Sequence, residues 1–463
     1  MTMKKILALT LALALALSMT ACGGASSSTA PAPAPADSTS AAPAAKGNVY
    51  FFNFKPEQDE AYQAIAKEYT AETGVPVKVV TAASGTYEQS LKSEIAKTEA
   101  PTIFQINGPV GYAAWKDYCA DLSKTEIYGH LTDKTIAISE GEGVYGIPFA
   151  IEGYGIIYNN AIMTKYFALD GAKAKSMDEI NNFAKLKEVV EDMTAKKADL
   201  GIEGVFSSTS LAPGEDWRWQ THLANVPFYY EFSEGNLNLS DPAATAEIKF
   251  AHSENYKNIF DLYVNNSVTE KGLLGSTSVD DSMAEFALGQ SAMVQNGNWA
   301  YGQISGVDGN VVTEADVKFM PIYTGIAGEE KQGLCSGTEN FFCINKNAKP
   351  EDQQASIDFM TWLYTSDAGK AHVTSELGFI APFDTFSDAE KPTDPLAKEV
   401  LAWTSKEGFN NVPWNFTIFP SQAFKDKFGA DLLQYVQGSM EWDALTKDVV
   451  DTWASEKAAT ATA

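Results

Sequence analysis

Glu152 is the first residue in this sequence whose type and surroundings could do chemistry. It is the single charged residue in the apolar run from Val144 to Tyr158. A buried carboxylate needs hydrogen-bond donors, which the hydroxyl groups of a ligand could supply. A position at a solvated strand end explains the same residue equally well.

The segment 213–225 combines acidic and aromatic residues. Glu215 and Asp216 are predicted in the first turn of a helix, where carboxylates suit the positive end of the helix dipole. Trp217 points away from the core side of that helix, so packing does not account for it. Arg218 is the only arginine in the chain. Its planar guanidinium could bind a ligand, or it could pair with either neighbouring acid.

A third candidate group lies between residues 286 and 300. The pattern predicts a strand over 291–294, a turn at Asn296 and Gly297, and a helix capped by Asn298. Trp299 then follows a strand directly, where α/β proteins commonly bind ligands. Its ring could stack on the CH-rich face of a pyranose, or it could simply belong to the core.

Two weaker candidates complete the set of possible binding residues. Asn107 follows a predicted strand and, with Gln105, offers amide groups at the strand end. Trp414 lies in the aromatic segment 413–416 and could supply another flat surface.

Motifs for catalysis and metal binding are absent from the sequence. The four histidines are scattered, and no GxSxG, Walker or GxGxxG pattern follows a strand. Cys119, Cys335 and Cys343 match no zinc spacing, and pairing of the last two stays open. We therefore expect no catalytic residue, no metal ion and no cofactor.

Composition narrows the class of protein. The chain has 463 residues, a formal net charge of -26 and 34 basic against 60 acidic side chains, which argues against a nucleic-acid partner. With 45% hydrophobic and 20% charged residues, it can fold into two or three domains with sizeable cores.

The N-terminus is predicted to be processed. Two lysines precede an apolar run over 6–19 that is shorter than the roughly 20 residues a membrane helix needs, so residues 1–21 are typical of an export signal. The sequence at 19–22 resembles the bacterial lipobox, which predicts a lipid on Cys22. The Ala-, Pro- and Ser-rich segment 22–47 would then be a tether to the outer face of the cell membrane.

The elements that must position these residues begin with an α/β alternation. Strands are predicted over 49–54, 75–80 and 102–106, and apolar residues at helical spacing lie between them, over 62–69 and 87–95. This alternation predicts a parallel sheet with helices on both faces, whose ligands bind at the carboxyl ends of the strands.

Taken in order, these motifs resemble the extracellular solute-binding proteins of bacterial ABC sugar importers, in the maltose-binding-protein-like group (family 1). The segments 147–152 and 156–160 are similar to the first crossover of that family between its two lobes. The segment 289–300 is the most specific match, 215–217 is a weaker one, and 378–382 is similar to the return crossover.

The resemblance implies an α/β, two-lobe clamshell of the type II periplasmic-binding-protein kind, with the ligand cleft between the lobes. The N-terminal lobe would comprise 48–150 and 337–382, and the C-terminal lobe 151–336 and 383–456. It implies ligand-binding roles for Glu152, Glu215, Trp217 and Trp299, to which the residue chemistry above adds Arg218, Asn107, Asn298 and Trp414 as candidates.

The function implied is capture of a carbohydrate, an oligosaccharide by preference, through hinge closure and delivery to the membrane subunits of an ABC permease. A monomer that touches the membrane only through its lipid, with no nucleic-acid partner and no enzyme activity, is expected.

Two departures from the family leave the sugar open. The loop after the third predicted strand lacks the charged pair expected there, and Lys55 stands where an acid is expected. One alternative is an exported glycoside hydrolase that uses Glu152 and Glu215 as paired carboxylates. Another is the same fold with a non-sugar solute such as a polyamine, whereas the few basic residues speak against an oxyanion ligand.

Overall fold

A computed structural model describes residues 46–461 of the chain, apart from Ser84, Ser240, Asp241 and Asp388. The predictions on the export signal and Cys22, and nearly all of the predicted tether, lie outside the described residues.

The described chain contains eleven strands. They are β1 (Val49–Asn53), β2 (Val77–Thr81), β3 (Ile103–Asn107), β4 (Ile138–Glu140), β5 (Gly143–Pro148), β6 (Glu152–Asn159), β7 (Met293–Gly297), β8 (Val317–Met320), β9 (Gln332–Gly337), β10 (Asn340–Ile344) and β11 (Asn410–Pro413).

The α-helices surround these strands. They are α1 (Asp59–Thr73), α2 (Tyr87–Ile95), α3 (Gly108–Trp115), α4 (Glu126–His130), α5 (Asn160–Phe167), α6 (Phe183–Ala195), α7 (Lys197–Leu200), α8 (Ala224–Glu234), α9 (Ser253–Asn265), α10 (Val279–Ala287), α11 (Ala300–Ser305), α12 (Pro350–Thr365), α13 (Asp367–Ala371), α14 (Pro395–Thr404), α15 (Gln422–Val436) and α16 (Trp442–Ala461).

Shorter helical segments complete the secondary structure. Two are π-helical, Arg218–Leu223 and His372–Glu376, and the others are 3₁₀ turns at Pro56–Gln58, Lys134–Ile136, Met177–Glu179, Pro242–Thr245, Lys271–Ser276, Glu314–Asp316, Glu329–Lys331 and Asn415–Ile418.

The first sheet has six strands in the order β2-β1-β3-β10-β5-β4. β1 pairs in parallel with both β2 and β3, as the α/β alternation predicts, whereas β10 is antiparallel to β3 and β5. Neighbouring residues of β1 face different cores: Phe51 packs with Tyr62 and Ile65 of α1, and Phe52 packs with Leu91 of α2. Burial on both faces explains why these strands are continuous apolar runs.

The second sheet has the order β11-β9-β6-β7, and β8 also pairs with β6. All eight residues of β6 are buried, so this strand lies at the centre of the second lobe. The core of the second lobe combines the helices α6, α8, α9, α15 and α16 with residues of the second sheet.

The chain crosses between the two sheets more than once. It passes from β5 to β6 just before Glu152, and from β9 back to β10. A third passage runs beside the first, since the amide of Ile151 donates to the carbonyl of Ile380 at 2.8 Å. The fold is therefore α/β with two lobes; the lobe limits at 150/151, 336/337 and 382/383 stay predictions.

Two local predictions are wrong. Asn296 and Gly297 belong to β7 instead of forming a turn. Asn298 does not cap the next helix, because its backbone and side chain both bond to Gly153: its amide donates to the Gly153 carbonyl at 3.0 Å, and its Oδ1 accepts from the Gly153 amide at 2.9 Å. The antiparallel pairing thus continues past the strand end and occupies the capping group.

The cysteines and the helices add two further facts. Cys119, Cys335 and Cys343 are buried and free, so the pairing left open between the last two does not occur. In the part of the chain that the structure describes, no helix is both long and apolar enough to cross a bilayer.

Candidate functional site

Aromatic rings gather at one edge of the second sheet. The ring centroids of Trp217 and Trp299 lie 6.1 Å apart, and those of Trp299 and Trp414 lie 6.3 Å apart. The ring of His222 is 5.4 Å from that of Trp299 and stacks on Tyr154 at 4.4 Å. Three tryptophans far apart in sequence therefore share one cluster.

Three short segments position these rings. Trp299 follows β7, and Trp217 immediately precedes the π-helix that carries His222. Trp414 follows β11. The side chain of Asn225 in α8 fixes this segment, because the backbone amide of Asn415 donates to Asn225 Oδ1 at 2.6 Å. We call the region formed by Lys55, Glu152, Trp217, Arg218, His222, Trp299, Glu339 and Trp414 the interlobe site.

Lys55 brings the first lobe into this region. The Lys55 Nζ lies 2.8 Å from Glu152 Oε1 and 3.5 Å from Glu57 Oε1. It also lies 5.4 Å from the ring centroid of Trp299, within cation–π range. Burial alone would lower the pKa of Lys55, but the two carboxylates outweigh it and raise that pKa above its ordinary value. Lys55 therefore stays charged and joins the first lobe to the crossover.

The loop that carries Lys55 is fixed by amide side chains. Asn53 Nδ2 donates to the Lys55 carbonyl at 2.7 Å, and Gln105 Oε1 accepts from the amide of Phe54 at 2.6 Å. Gln105 thus holds this loop instead of presenting its carbonyl oxygen to a ligand.

Loops of the two lobes touch beside the interlobe site. A Cβ added to Gly85 would lie 2.7 Å from the carbonyl oxygen of Gly214, and one on Gly108 would lie 3.0 Å from Cβ of Thr417. Both Gly85 and Gly108 have positive φ, at 70° and 66°. The loops of the two lobes are therefore in contact in this structure, and glycine at these positions permits the close approach.

Arg218 lies deep in the site and is 1% exposed. Its Cζ is 3.6 Å from the ring centroid of Trp217, and one Nη donates to Asn296 Oδ1 at 3.1 Å. The described residues offer it no ion pair, so pairing with Glu215 or Asp216 is not its role. Burial lowers the pKa of Arg218 to about 9, and the distant acids Glu57, Glu215 and Asp280 act against that shift.

Glu339 is a second acid at the crossovers, between β9 and β10. Burial raises its pKa, while the positive charges of Lys425 and Lys55 lower it and Glu152 raises it further. The side chain of Asn107 also lies within hydrogen-bonding reach. Each of these two crossovers therefore carries one glutamate that faces the interlobe site.

Several buried polar atoms of this region have no hydrogen-bond partner within the described part of the chain. They are Asn107 Oδ1, Arg218 Nε and Nη1, His222 Nδ1, Trp299 Nε1 and Trp414 Nε1. Buried polar groups are nearly always bonded in folded proteins, so such a concentration is typical of sites that hold a polar ligand or bound water. Aromatic faces next to free donors and acceptors suit a ligand with both CH and OH groups.

The structure brings together five of the predicted binding residues: Glu152, Trp217, Arg218, Trp299 and Trp414. The sixth, Asn107, reaches the same region from the end of β3.

Two predicted residues have structural contacts instead. Asn298 extends the pairing of β6 and β7, as described above. Glu215 Oε2 accepts from the amide of Val279 at 2.6 Å, at the start of α10, so the acid serves the N-terminus of a different helix from the one predicted. Asp216 lies two residues before the π-helical segment Arg218–Leu223. Glu152 pairs with Lys55 and Glu215 with a helix amide, which does not fit a pair of catalytic carboxylates.

Sequence reasoning did not find His222, Glu339 or Lys425. It also did not place Lys55 at the site, although Lys55 gave a signal, because it departs from the pattern expected at the end of the first strand. The other three carry no motif, and only the folded chain places them near the tryptophans.

Two cavities lie outside the interlobe site. One, of about 360 Å³, is lined by residues of β8 and α14, including Trp403 and Lys318. The other, of about 470 Å³, lies between α4 and α12. Among the described residues, no group of three or more His, Cys, Asp or Glu side chains could hold a metal ion.

A family model described as bacterial extracellular solute-binding protein matches residues 64–400. The chain belongs to this family. The matched range contains β2 to β10 and most of the interlobe site, whereas Lys55 and Trp414 lie outside it. The members of the family are binding proteins and are extracellular, which implies export.

Solved structures show the same fold. A chitin oligosaccharide binding protein aligns at a TM-score of 0.66 and 16% identity, over 89% of this chain and 100% of its own. RafE in complex with raffinose aligns at 0.63 and 16%, over 89% and 99%. Maltose-bound MalE3 of T. maritima aligns at 0.64 and 14%, over 88% and 98%. No curated protein matches the chain.

These similarities confirm the expected fold class. This solute-binding protein is a two-lobe α/β clamshell of the type II periplasmic-binding-protein kind, with its aromatic cluster between the lobes.

Proposed function

We propose that this solute-binding protein captures an oligosaccharide between its lobes and delivers it to the membrane subunits of an ABC importer. The observation that carries the proposal is the interlobe site itself. Three tryptophans there lie beside buried hydrogen-bonding groups that no other described residue satisfies. The sugars in the names of the similar structures, chitin oligosaccharide, raffinose and maltose, support the same ligand class.

Binding works through closure. The rings and Arg218 belong to the second lobe, Lys55 and Asn107 belong to the first, and Glu152 and Glu339 lie at the crossovers. A ligand that contacts both lobes is fully bonded only when they are closed, so its binding shifts the equilibrium towards the closed form. The permease would then recognise that form. Every step is non-covalent.

The protein is further proposed to act as a monomeric lipoprotein, anchored through Cys22 and the segment 22–47. A lipid adds about 0.8 kcal/mol of membrane binding for each buried methylene, so a diacylated cysteine would hold the protein at the membrane surface.

The decisive experiment is a calorimetric titration of the mature protein with mono- and oligosaccharides of several linkages. We expect saturable binding of at least one oligosaccharide, with the sugar recovered unchanged. Release of shorter sugars during incubation would instead support the hydrolase alternative. Binding of polyamines but of no sugar would overturn the ligand class.

A further inference from the structure

The charge distribution of the interlobe site differs from that of the chain. The chain carries a formal net charge of -26. The pKa of His222, in the aromatic cluster, is nevertheless held well below its ordinary value, first by burial and then by the positive charges of Arg218, Lys425 and Lys55. Three cations therefore lie close enough to act on this ring, and Glu57, Glu152 and Glu339 are the acids beside them.

Arg218 is the most deeply buried of these three cations, at 1% exposed against 6% for Lys55 and 9% for Lys425. Lys55 has a carboxylate at 2.8 Å, and Lys425 has Glu339 as its principal acidic neighbour. Arg218 has one hydrogen bond, to an uncharged amide, and no ion pair among the described residues. A buried, unpaired guanidinium is costly because water no longer solvates its charge.

The three acids that act electrostatically on Arg218 already have other partners. Glu57 lies 3.5 Å from the ammonium of Lys55, and Glu215 accepts from the amide of Val279 at 2.6 Å. Asp280 accepts from the side chain of Gln303 at 3.2 Å. No carboxylate among the described residues therefore forms an ion pair with the guanidinium of Arg218.

Trp217 determines how a ligand can approach. Its ring covers one face of the Arg218 guanidinium at 3.6 Å, while Nε and Nη1 remain without partners in the described part of the chain. An incoming group must then bind at the edges of the guanidinium, in its plane. A planar carboxylate fits this approach, and charge-assisted hydrogen bonds are about twice as strong as those from a neutral hydroxyl.

We propose that the ligand of the interlobe site is an acidic oligosaccharide whose carboxylate binds Arg218. This inference rests on the proposed capture of an oligosaccharide and specifies its class, a glycan with a uronic acid or another carboxylate-bearing sugar. It also replaces the expectation, drawn from the few basic residues, that an anionic ligand is disfavoured. The overall composition does not decide this, because the acids of the site lie beside Lys55 and Lys425, whereas Arg218 has no ion pair among the described residues.

The test is a titration of the mature protein with matched glycan pairs that differ only in charge. The probes are cellobiouronic acid and cellobiose, trigalacturonic acid and its methyl ester, glucuronoxylan oligosaccharides and xylo-oligosaccharides, and sialyllactose and lactose. Acidic glycans with sulfate in place of carboxylate form a further arm. In at least one pair we expect the carboxylate member to bind about ten-fold more tightly or better.

Variants of Arg218 then locate the effect. Arg218→Gln should lower the affinity for the acidic member about ten-fold more than it lowers the affinity for the neutral member. Arg218→Lys, which keeps the charge without the planar fork, should lie between. Lys447→Gln, an exposed change of the same charge, is the matched control and should alter neither affinity.

The outcomes separate this inference from the proposed function. Equal affinity for both members of every pair, or equal loss for both in Arg218→Gln, would overturn the acidic ligand while leaving sugar capture intact. Selective binding of the sulfated glycans would overturn the carboxylate. Binding of no glycan in any arm would overturn both proposals. The comparison of pairs on the unaltered protein needs no variant, so a folding defect in Arg218→Gln does not prevent the test.

Discussion

The pair of Lys55 and Glu152 shows, at the scale of single residues, that both the first lobe and the crossover contribute to the site. The lysine is 6% exposed and the glutamate 3%, and their charges lie 2.8 Å apart. Removing one member of a buried pair leaves an unpaired charge, which is more costly than removing both.

The buried pair leads to a first prediction. Lys55→Met or Glu152→Gln alone should lower the free energy of unfolding by about 3 kcal/mol, because each leaves the partner uncompensated or weakly bonded. The double variant should recover part of that loss. Urea unfolding without ligand measures all three. Additive losses in the double variant would show that the two side chains do not depend on each other.

Trp299 lies near residues of both lobes, Lys55 of the first and the other two tryptophans of the second. Trp299→Ala should weaken oligosaccharide binding by about 1–3 kcal/mol, because a stacking surface is lost while the fold remains. Calorimetry gives the affinity. Trp403→Ala, at the outer cavity beside β8, is the matched control and should bind normally. Unchanged affinity in Trp299→Ala would place the ligand elsewhere.

Asp216 gives a prediction on pH. Burial raises its pKa to about 7 in the folded protein, against about 4 when unfolded. The folded state therefore keeps a proton that the unfolded state has released. The stability that Asp216 contributes is present below pH 4 and is lost as the pH rises towards 7.

Asp216→Asn should remove this loss and raise the free energy of unfolding at pH 8 by about 2–4 kcal/mol relative to the unaltered protein. Chemical unfolding at pH 4 and pH 8 measures the difference. Asp117→Asn, whose side chain is 92% exposed, is the control and should not change the pH dependence. A parallel pH profile for Asp216→Asn and the unaltered protein would contradict the assignment.

At the scale of elements, the π-helical segment Arg218–Leu223 presents several functional side chains from one short stretch. Trp217 and Arg218 lie at its start, and His222 is within it. Trp219 is 2% exposed and joins the core of the second lobe. One wide helical turn thus divides neighbouring side chains between site and core, a use that is typical of π-helical segments at functional sites.

The loop after β2 and the turn at Gly214 form a contact that closure requires. In Gly85→Ala the new Cβ would lie 2.7 Å from the Gly214 carbonyl oxygen, so the lobes should separate there. Small-angle X-ray scattering should then give a larger radius of gyration for this variant.

Gly141→Ala is the matched control for this prediction. Gly141 has a similar φ of 62°, and a Cβ there would meet nothing within 4 Å. It therefore carries the same backbone strain without an interlobe contact, and its radius should equal that of the unaltered protein. Equal radii for all three proteins would show that the Gly85 contact does not hold the lobes closed.

At the scale of the whole molecule, the proposed anchor determines where the clamshell works. Cys22→Ser should move the protein from the membrane fraction to the medium or to the soluble extracellular fraction, because the acceptor of the lipid is removed. Fractionation and immunoblotting measure this. Retention of Cys22→Ser at the membrane would contradict the lipoprotein proposal.

The whole-molecule arrangement also explains which expectations succeeded. The first three strands and their helices were predictable from local patterns. The helices show apolar residues at helical spacing, and the strands are continuous apolar runs because they are buried on both faces, as Phe51 and Phe52 show. The crossovers were recognisable because short motifs surround Glu152 and Trp299. Asn298 was misjudged because a capping residue and a strand-pairing residue look the same in sequence.

The sequence by itself determined the fold class and the family, since these depend on patterns within short segments. Only the tertiary structure decided that Lys55 pairs with Glu152, that Glu339 faces the same site and that no described carboxylate forms an ion pair with Arg218. These residues are far apart in the sequence; Lys55 and Glu152, for example, are separated by 97 positions. Electrostatics acts through space and depends on burial, so no local pattern encodes it.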